Sequence, residues 1–366
     1  MRKGFLNPAI AAFIGAVLVL GFFLTTSSVK SYAQQTTING AGATFPFPLI
    51  DTWRVEYQTV DPSVNINYQS IGSGGGIKQF TEKTVDFGAS DAPLTPEEAQ
   101  NAPGAVHIPE TIGSVVAAYN VPIQGLKLTG PILADIFLGK ITKWNDPKIQ
   151  AINSGQSLPA EDIAVVHRSD GSGTTFVWTE YLSNISPAWD QQIGKGKSVQ
   201  WPIGVGAPGN EGVANTIKNT PNSLGYVELA YAITTGMTYA SIQNRDGNFI
   251  EPTLESTRAA VSAAAQSLPA GDQPWSNVTI VNAPGAESYP IASFSYILLY
   301  KDLSSNPSIN QQKAQKLIDF ISWAITDGQQ FSSDLAYVPL PEQVVSLNQK
   351  TLASLTFNGN PVRPAT

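Results

Sequence analysis

Two stretches of this chain set hydroxyls and small residues where a helix would be starting: T-I-N-G-A-G-A-T-F-P-F-P at 37–48 and D-G-S-G-T-T at 170–175. The first backbone N–H groups of a helix have no partner within it, and the helix dipole adds positive character at that end. Turns of this kind converging on one spot make a seat for a small tetrahedral oxyanion without a cluster of lysines. Each residue also has a plainer reading. Thr44, Ser73 and Thr174 could be ordinary helix caps, Arg168 with Asp170 a structural ion pair, and Asp91 a turn residue.

Other patterns suggest different chemistry and fail on their details. Gly204-Val205-Gly206-Ala207-Pro208-Gly209 satisfies G-x-G-x-x-G, with Glu228 about 20 residues on. The preceding Gln200-Trp201-Pro202 is a poor strand and Pro208 interrupts the motif, so a glycine-rich loop is expected. Residues 71–78 resemble a P-loop only loosely, because Ile77 stands where glycine must precede the lysine. Gly88-Ala89-Ser90-Asp91-Ala92 approaches the G-x-S-x-G nucleophile elbow, with alanine replacing the last glycine. Only His107 and His167 could be its base. His107 lies in the strand-like V-H-I-P of 106–109, and Arg168 would depress the basicity of His167. No histidine-carboxylate cluster has metal-ligand spacing, so no metal and no cofactor is expected.

The elements that must position these residues follow an α/β pattern of short β-branched runs and helical stretches. Leu49, Trp53 and Tyr57 predict a helix just past Thr44-Phe45. Val64–Tyr68 alternates as a strand, and a helix is expected to start at Ile77 after the glycine run. Val85–Asp91 reads as a buried strand with a polar tip, followed by the capping box Thr95-Pro96-Glu97-Glu98. Ile163–Val166 is a strand delivering His167-Arg168 to its carboxyl end. Val177, Trp178, Tyr181 and Leu182 mark the helix after the second turn. Ala314, Leu317, Ile318, Ile321, Ala324 and Ile325 form an apolar stripe stopped by Gly328. Ligands of open α/β sheets bind at such carboxyl-end crevices.

Arg2 and Lys3, the apolar run Ala9–Leu24 and the small-x-small Ser31-Tyr32-Ala33 read as a secretory signal peptide cleaved after about Ala33. The remaining chain is long enough for two domains. It has no cysteine, hence no lipid-bearing thiol at the cleavage site, and no other apolar stretch fit to span a membrane. The net charge of −7 becomes more negative once the leader leaves, which argues against nucleic acid and anionic membranes as partners.

Seven motifs then occur in one order: G-A-G-A-T-F-P-F-P (40–48), I-G-S-G-G-G-I-K-Q (71–79), D-F-G-A-S-D-A-P-L (86–94), L-G-K-I-T-K-W-N-D (138–146), R-S-D-G-S-G-T (168–174), W-P-I-G-V-G (201–206) and G-Y-V-E-L-A-Y-A (225–232). From about Ile38 to about Val345 the chain resembles the periplasmic phosphate-binding proteins of phosphate ABC transporters. That resemblance implies a two-domain α/β solute-binding protein of type II with the ligand in the interdomain cleft. Residues 34–114 and 290–366 would form a discontinuous first domain, and 115–289 the second, with crossovers near Ile112–Ala118 and Tyr289–Ser293. It implies a phosphate ligand set of Thr44, Phe45, Ser73, Asp91, Arg168, Ser172, Gly173 and Thr174, with Asp170 orienting the arginine. The pattern departs from the family at Gly74 and His167, neither a ligand position. A periplasmic, non-enzymatic monomer is expected, delivering inorganic phosphate to permease subunits driven by a cytoplasmic ATPase. The alternatives are a binder of another oxyanion and a secreted phosphatase or hydrolase.

The chemistry of that set is coherent. The guanidinium offers a planar fork matched to phosphate oxygens, and hydroxyls and N–H groups serve the other lone pairs. Asp91 is discordant, since a carboxylate repels an anion. The conflict vanishes for a ligand that carries a proton, because an ionised carboxylate only accepts. Phosphate keeps a P–OH near neutral pH and sulfate keeps none, so against sulfate Asp91 is an uncompensated repulsion of several kcal/mol.

Overall fold

The β-branched runs become strands of one mixed sheet, and the turns between them point to a common region. The computed structural model describes residues 35–362 except position 263, so the leader expected at 1–33 lies outside the described residues. Four strands come first, β1 (Thr36–Gly42), β2 (Val64–Ser70), β3 (Phe87–Ser90) and β4 (Ala105–Tyr119). They are followed by β5 (Ala164–Arg168), β6 (Val205–Ala207), β7 (Ser223–Glu228), β8 (Thr238–Tyr239) and β9 (Ala292–Tyr300). The nine strands run in the order β2-β1-β3-β9-β4-β7-β5-β6, with β8 also paired to β4.

One parallel wing is β1 with β2 and β3, and the other is β5 with β6 and β7. Two antiparallel strands join them. Over Ala105–Ser114, β4 pairs with β9, and over Val115–Tyr119 it pairs with β7. All but the first of its 15 residues are buried, which explains its near-continuous apolar and small composition. Between Ser295 and Tyr296 the β4–β9 register slips: Ser295 faces Thr111 and Tyr296 faces Pro109, leaving Glu110 as an extra residue on β4.

Helices cover the sheet. Those that matter here are α1 (Phe47–Val60), α2 (Ser73–Thr81), α3 (Pro96–Asn101), α4 (Gly173–Ile185), α5 (Gly209–Asn219), α6 (Leu229–Thr234) and α7 (Gln311–Ala324). The stripe expected of α1 is buried as Leu49, Ile50, Trp53 and Tyr57. Each such side chain contributes about 1.5–3 kcal/mol by leaving water. Trp53 Nε1 also donates to the Gly328 carbonyl at 2.8 Å. Trp53→Ala would therefore leave both a cavity and an orphaned acceptor, at a cost of about 3–5 kcal/mol. The expected capping box is present at the start of α3, with Thr95 and Glu98 exchanging side-chain and backbone bonds.

Two helix ends differ from expectation. α2 starts at Ser73 rather than Ile77, so the glycine run is helical despite its poor propensity. Packing overrides propensity here: a Cβ on Gly76 would lie 2.3 Å from the Gly42 Cα, so only glycine lets α2 sit against β1. α7 ends at Ala324, and Gly328 lies in the following 3-10 turn instead of terminating the helix. Among the described residues no helix is long and apolar enough to cross a membrane.

Candidate functional site

The carboxyl ends of β1, β3 and β5 and the starts of α2, α4 and α5 converge, and they bring most of the sequence-predicted site residues together. Thr44 and Phe45 follow β1. Thr44 does not cap α1, because Pro46 occupies that position without a side-chain bond. Its Oγ1 instead accepts from Asn210 Nδ2 at 2.8 Å and from the Asn210 N–H at 3.2 Å. Phe45 is fully buried, and its carbonyl accepts from the Tyr337 hydroxyl at 2.6 Å.

Ser73 opens α2, buried. Its Oγ accepts from the Asp91 N–H at 3.2 Å and from the Gly173 N–H at 3.1 Å, which leaves its single proton to donate. Asp91 Oδ2 lies 3.5 Å away and Asp91 Oδ1 accepts from Ser295 Oγ at 2.9 Å. The approach of the two motifs is close enough that a Cβ on Gly173 would fall 2.4 Å from Asp91 Oδ2.

Arg168 ends β5 with only 3% of its surface exposed. Asp170 grips it through two parallel bonds, Nε to Oδ1 at 2.8 Å and Nη2 to Oδ2 at 2.6 Å. The remaining nitrogen, Nη1, reaches Thr174 Oγ1 at 3.5 Å. The first N–H of α5, on Gly209, steadies Asp170 Oδ1 at 3.1 Å. Ser172, rather than Thr174, is the N-cap of α4, accepting from the Thr175 N–H at 3.0 Å, and its proton remains to donate. A pocket of 290 Å³ opens beside Arg168 and Asp170, walled by His167, Lys197 and Trp201.

Burial sets the electrostatics. It pushes Asp91 up to about 7, against the opposing pull of the Ser295 hydroxyl, Arg168 and Ser73. Burial raises Asp170 too, but the hydrogen bonds and charge of Arg168 outweigh it and hold Asp170 below the ordinary carboxyl range. The region thus presents several donors, three helix N-termini and one buried carboxyl, Asp91, whose bonds come from the hydroxyls of Ser295 and Ser73. It is suited to an oxyanion that retains a proton.

Sequence reasoning passed over Asn210. It is fully buried at the start of α5, with Nδ2 between Thr44 Oγ1 and Thr174 Oγ1, 3.0 Å from the latter, and with Oδ1 accepting from the Glu228 N–H. The available signal was the G-x-G-x-x-G stretch itself. It forms β6 and the start of α5, not merely a loop, and it aims Gly209 and Asn210 at the site.

The pieces of a hydrolytic site are spoken for. Ser90 Oγ is buried and bonds the backbone of Ala92. His107 Nε2 accepts from the Leu94 N–H, its ring packs on Trp275, and burial lowers its pKa to about 4. His167 stacks on Trp201, and burial lowers its pKa against the opposing backbone bonds of Arg168 and Gly204, so burial and not the expected effect of Arg168 depresses its basicity.

A family profile for the PBP superfamily domain matches residues 27–327. The chain is 45% identical over 338 residues to the phosphate-binding protein PstS of Pasteurella multocida, covering 91% of this chain and 93% of that one. It is 45% identical over 328 residues to PstS of Haemophilus influenzae, covering 89% and 95%. The crystal structure of a phosphate binding protein from Stenotrophomonas maltophilia superimposes with a TM-score of 0.66 at 21% identity, over 90% of this chain and all of that one. The fold is that of the two-domain type II solute-binding proteins.

Proposed function

The chain belongs to the PstS family of phosphate-binding proteins, and we infer that it captures inorganic phosphate outside the cytoplasm and hands it to an ABC importer. One observation carries this reading: the buried guanidinium of Arg168, held in plane by Asp170, stands with Thr174 beside the point where Ser73, Asp91 and Gly173 meet. In this reading Arg168, the hydroxyls of Thr44, Ser73, Ser172 and Thr174, and the N–H of Phe45 donate to the ligand, as does the Gly173 N–H when it exchanges Ser73 Oγ for a ligand oxygen. Asp91 accepts the ligand's own proton. The residues come from both parallel wings, which supports domains at 34–114 with 290–366 and at 115–289, closing over the ligand. Export by the residue 1–33 leader, a monomeric state, and docking on permease subunits with a cytoplasmic ATPase complete the proposal.

Calorimetric titration with phosphate, sulfate and arsenate tests it. Tight phosphate binding with sulfate excluded is expected, and no heat on adding phosphate to protein stripped of ligand would refute it. A chromogenic phosphate ester incubated with the same sample should remain uncleaved.

A further inference from the structure

Behind Asp91 lies a second buried carboxyl that the ligand set does not use. Glu110 is fully buried and is the extra residue at the bulge where β4 slips against β9. A bulge re-aims a side chain and releases its backbone from the ladder. The freed Glu110 carbonyl accepts from Gln329 Nε2 at 3.0 Å, and the carboxyl shares Ser295 with Asp91.

Ser295 Oγ lies 2.9 Å from Asp91 Oδ1 and 3.0 Å from Glu110 Oε1. A serine hydroxyl has one proton and cannot donate to both. The second bond forms only if one carboxyl brings a proton of its own. Burial favours the neutral form of each, but only Asp91 has a cation, Arg168, drawing it toward the charged form. Burial carries Glu110 up to about 8, against the opposing bond from Ser295, and the neighbouring charge of Asp91 adds to the rise. The remaining groups facing the pair do not alter this order. Glu228 on β7 is raised well above its usual range by burial, and Tyr68, Tyr231, Tyr296 and Tyr337 are raised as well and stay neutral.

We propose that Glu110 is a specificity-determining positioning residue: as a neutral acid it donates to Ser295 Oγ, which commits the serine proton to Asp91 Oδ1 and keeps Asp91 an ionised acceptor toward the ligand. The chain of donors runs one way, Glu110 to Ser295 to Asp91. It leaves Asp91 Oδ2 as the oxygen facing Ser73 and Gly173. The inference rests on the phosphate-binding reading and deepens it. If Asp91 instead carried the proton, it could donate to sulfate and the discrimination would be lost.

The test measures the phosphate-to-sulfate preference by competition titration between pH 5 and 8.5, in wild type, Glu110→Gln and Ser295→Ala. The wild-type preference should fall as Asp91 protonates at acidic pH. Ser295→Ala removes the donor to Asp91, so the midpoint of that fall should move up by about one pH unit. Glu110→Gln retains a neutral donor, so its midpoint should stay with wild type. A downward shift in Glu110→Gln would mean that a negative charge had been removed, and would overturn the proposal. Infrared titration reads the carboxyl directly: in the difference between wild type and Glu110→Gln, which cancels the neutral Glu228, a buried protonated-carboxyl band that persists at pH 7 and fades near pH 8 is expected. If no such band is present at pH 7, the proposal is overturned. Failure of the wild type to bind phosphate at any pH would instead refute the phosphate reading itself, a result separable from these.

Discussion

The Gly173 N–H donates to Ser73 Oγ at 3.1 Å, joining two motifs 100 residues apart in the chain. Both atoms belong to the proposed ligand set, so the two halves of the site meet through the groups meant to hold the anion. The contact admits no side chain on Gly173.

Gly173→Ala should therefore hold the two motifs apart. Phosphate affinity is expected to fall by at least about 100-fold, which corresponds to about 2.8 kcal/mol. Small-angle scattering should show wild type contracting with phosphate and the variant failing to contract. Contraction of the variant to the same radius of gyration would show that closure does not need this approach.

Arg168→Ala should be the most damaging single change to binding, at about 2–5 kcal/mol, because it deletes the guanidinium and leaves Asp170 beside the anion. Asp170→Asn should cost less, since the fork remains but loses its charged anchor. Calorimetry finding under about 1 kcal/mol for Arg168→Ala would remove it from the ligand set.

Asp91→Asn exchanges an obligate acceptor for a side chain that can also donate. Phosphate affinity should change little, because a lost charge-assisted bond is offset by removal of a repelling charge. Sulfate should gain, narrowing the ratio between the two anions. Competition titrations at one pH and fixed ionic strength check this, and a variant that still rejects sulfate as wild type does would show that Asp91 is not the discriminator.

His107 makes a prediction about acid stability. Burial lowers its pKa from the ordinary 6.5 to about 4, so the folded state favours the neutral ring. The associated stability is present above the ordinary histidine range and is lost as pH falls through about 4. His107→Gln can keep an acceptor for the Leu94 N–H and cannot become charged. Its Tm, followed by circular dichroism, should fall less than that of wild type from pH 6.5 to 4, and parallel curves would assign the acid loss to other groups.

What was legible in the chain was what short spacing encodes. Glycine and hydroxyl turns before helices marked residues 37–48 and 170–175, the family resemblance supplied Ser73, Asp91 and Arg168, and the apolar stripes marked α1 and α7. The misjudged start of α2 shows where this stops: its glycines have no local reason to be helical, and their reason is contact with β1. Asn210 was missed because its meaning lies in Thr44, 166 residues away. Ser295 meets Asp91 across 204 residues and Glu110 across 185, and the bulge that turns Glu110 inward leaves no periodic trace. Pairings of that range come from the assembled sheet.

The pairing of Arg168 with Asp170 has a consequence for rates. The site's arginine is already neutralised by its partner, Asp91 adds a carboxyl of its own, and the whole chain carries a formal charge of −7. The net charge by itself repels an approaching anion, and that repulsion fades as salt shortens the Debye length to about 10 Å at 0.1 M. Association should quicken slightly with added inert salt, the reverse of electrostatic steering. Because the guanidinium is held in place beforehand, little ordering remains to be done on contact. Affinity in such a site is a matter of how slowly the anion leaves.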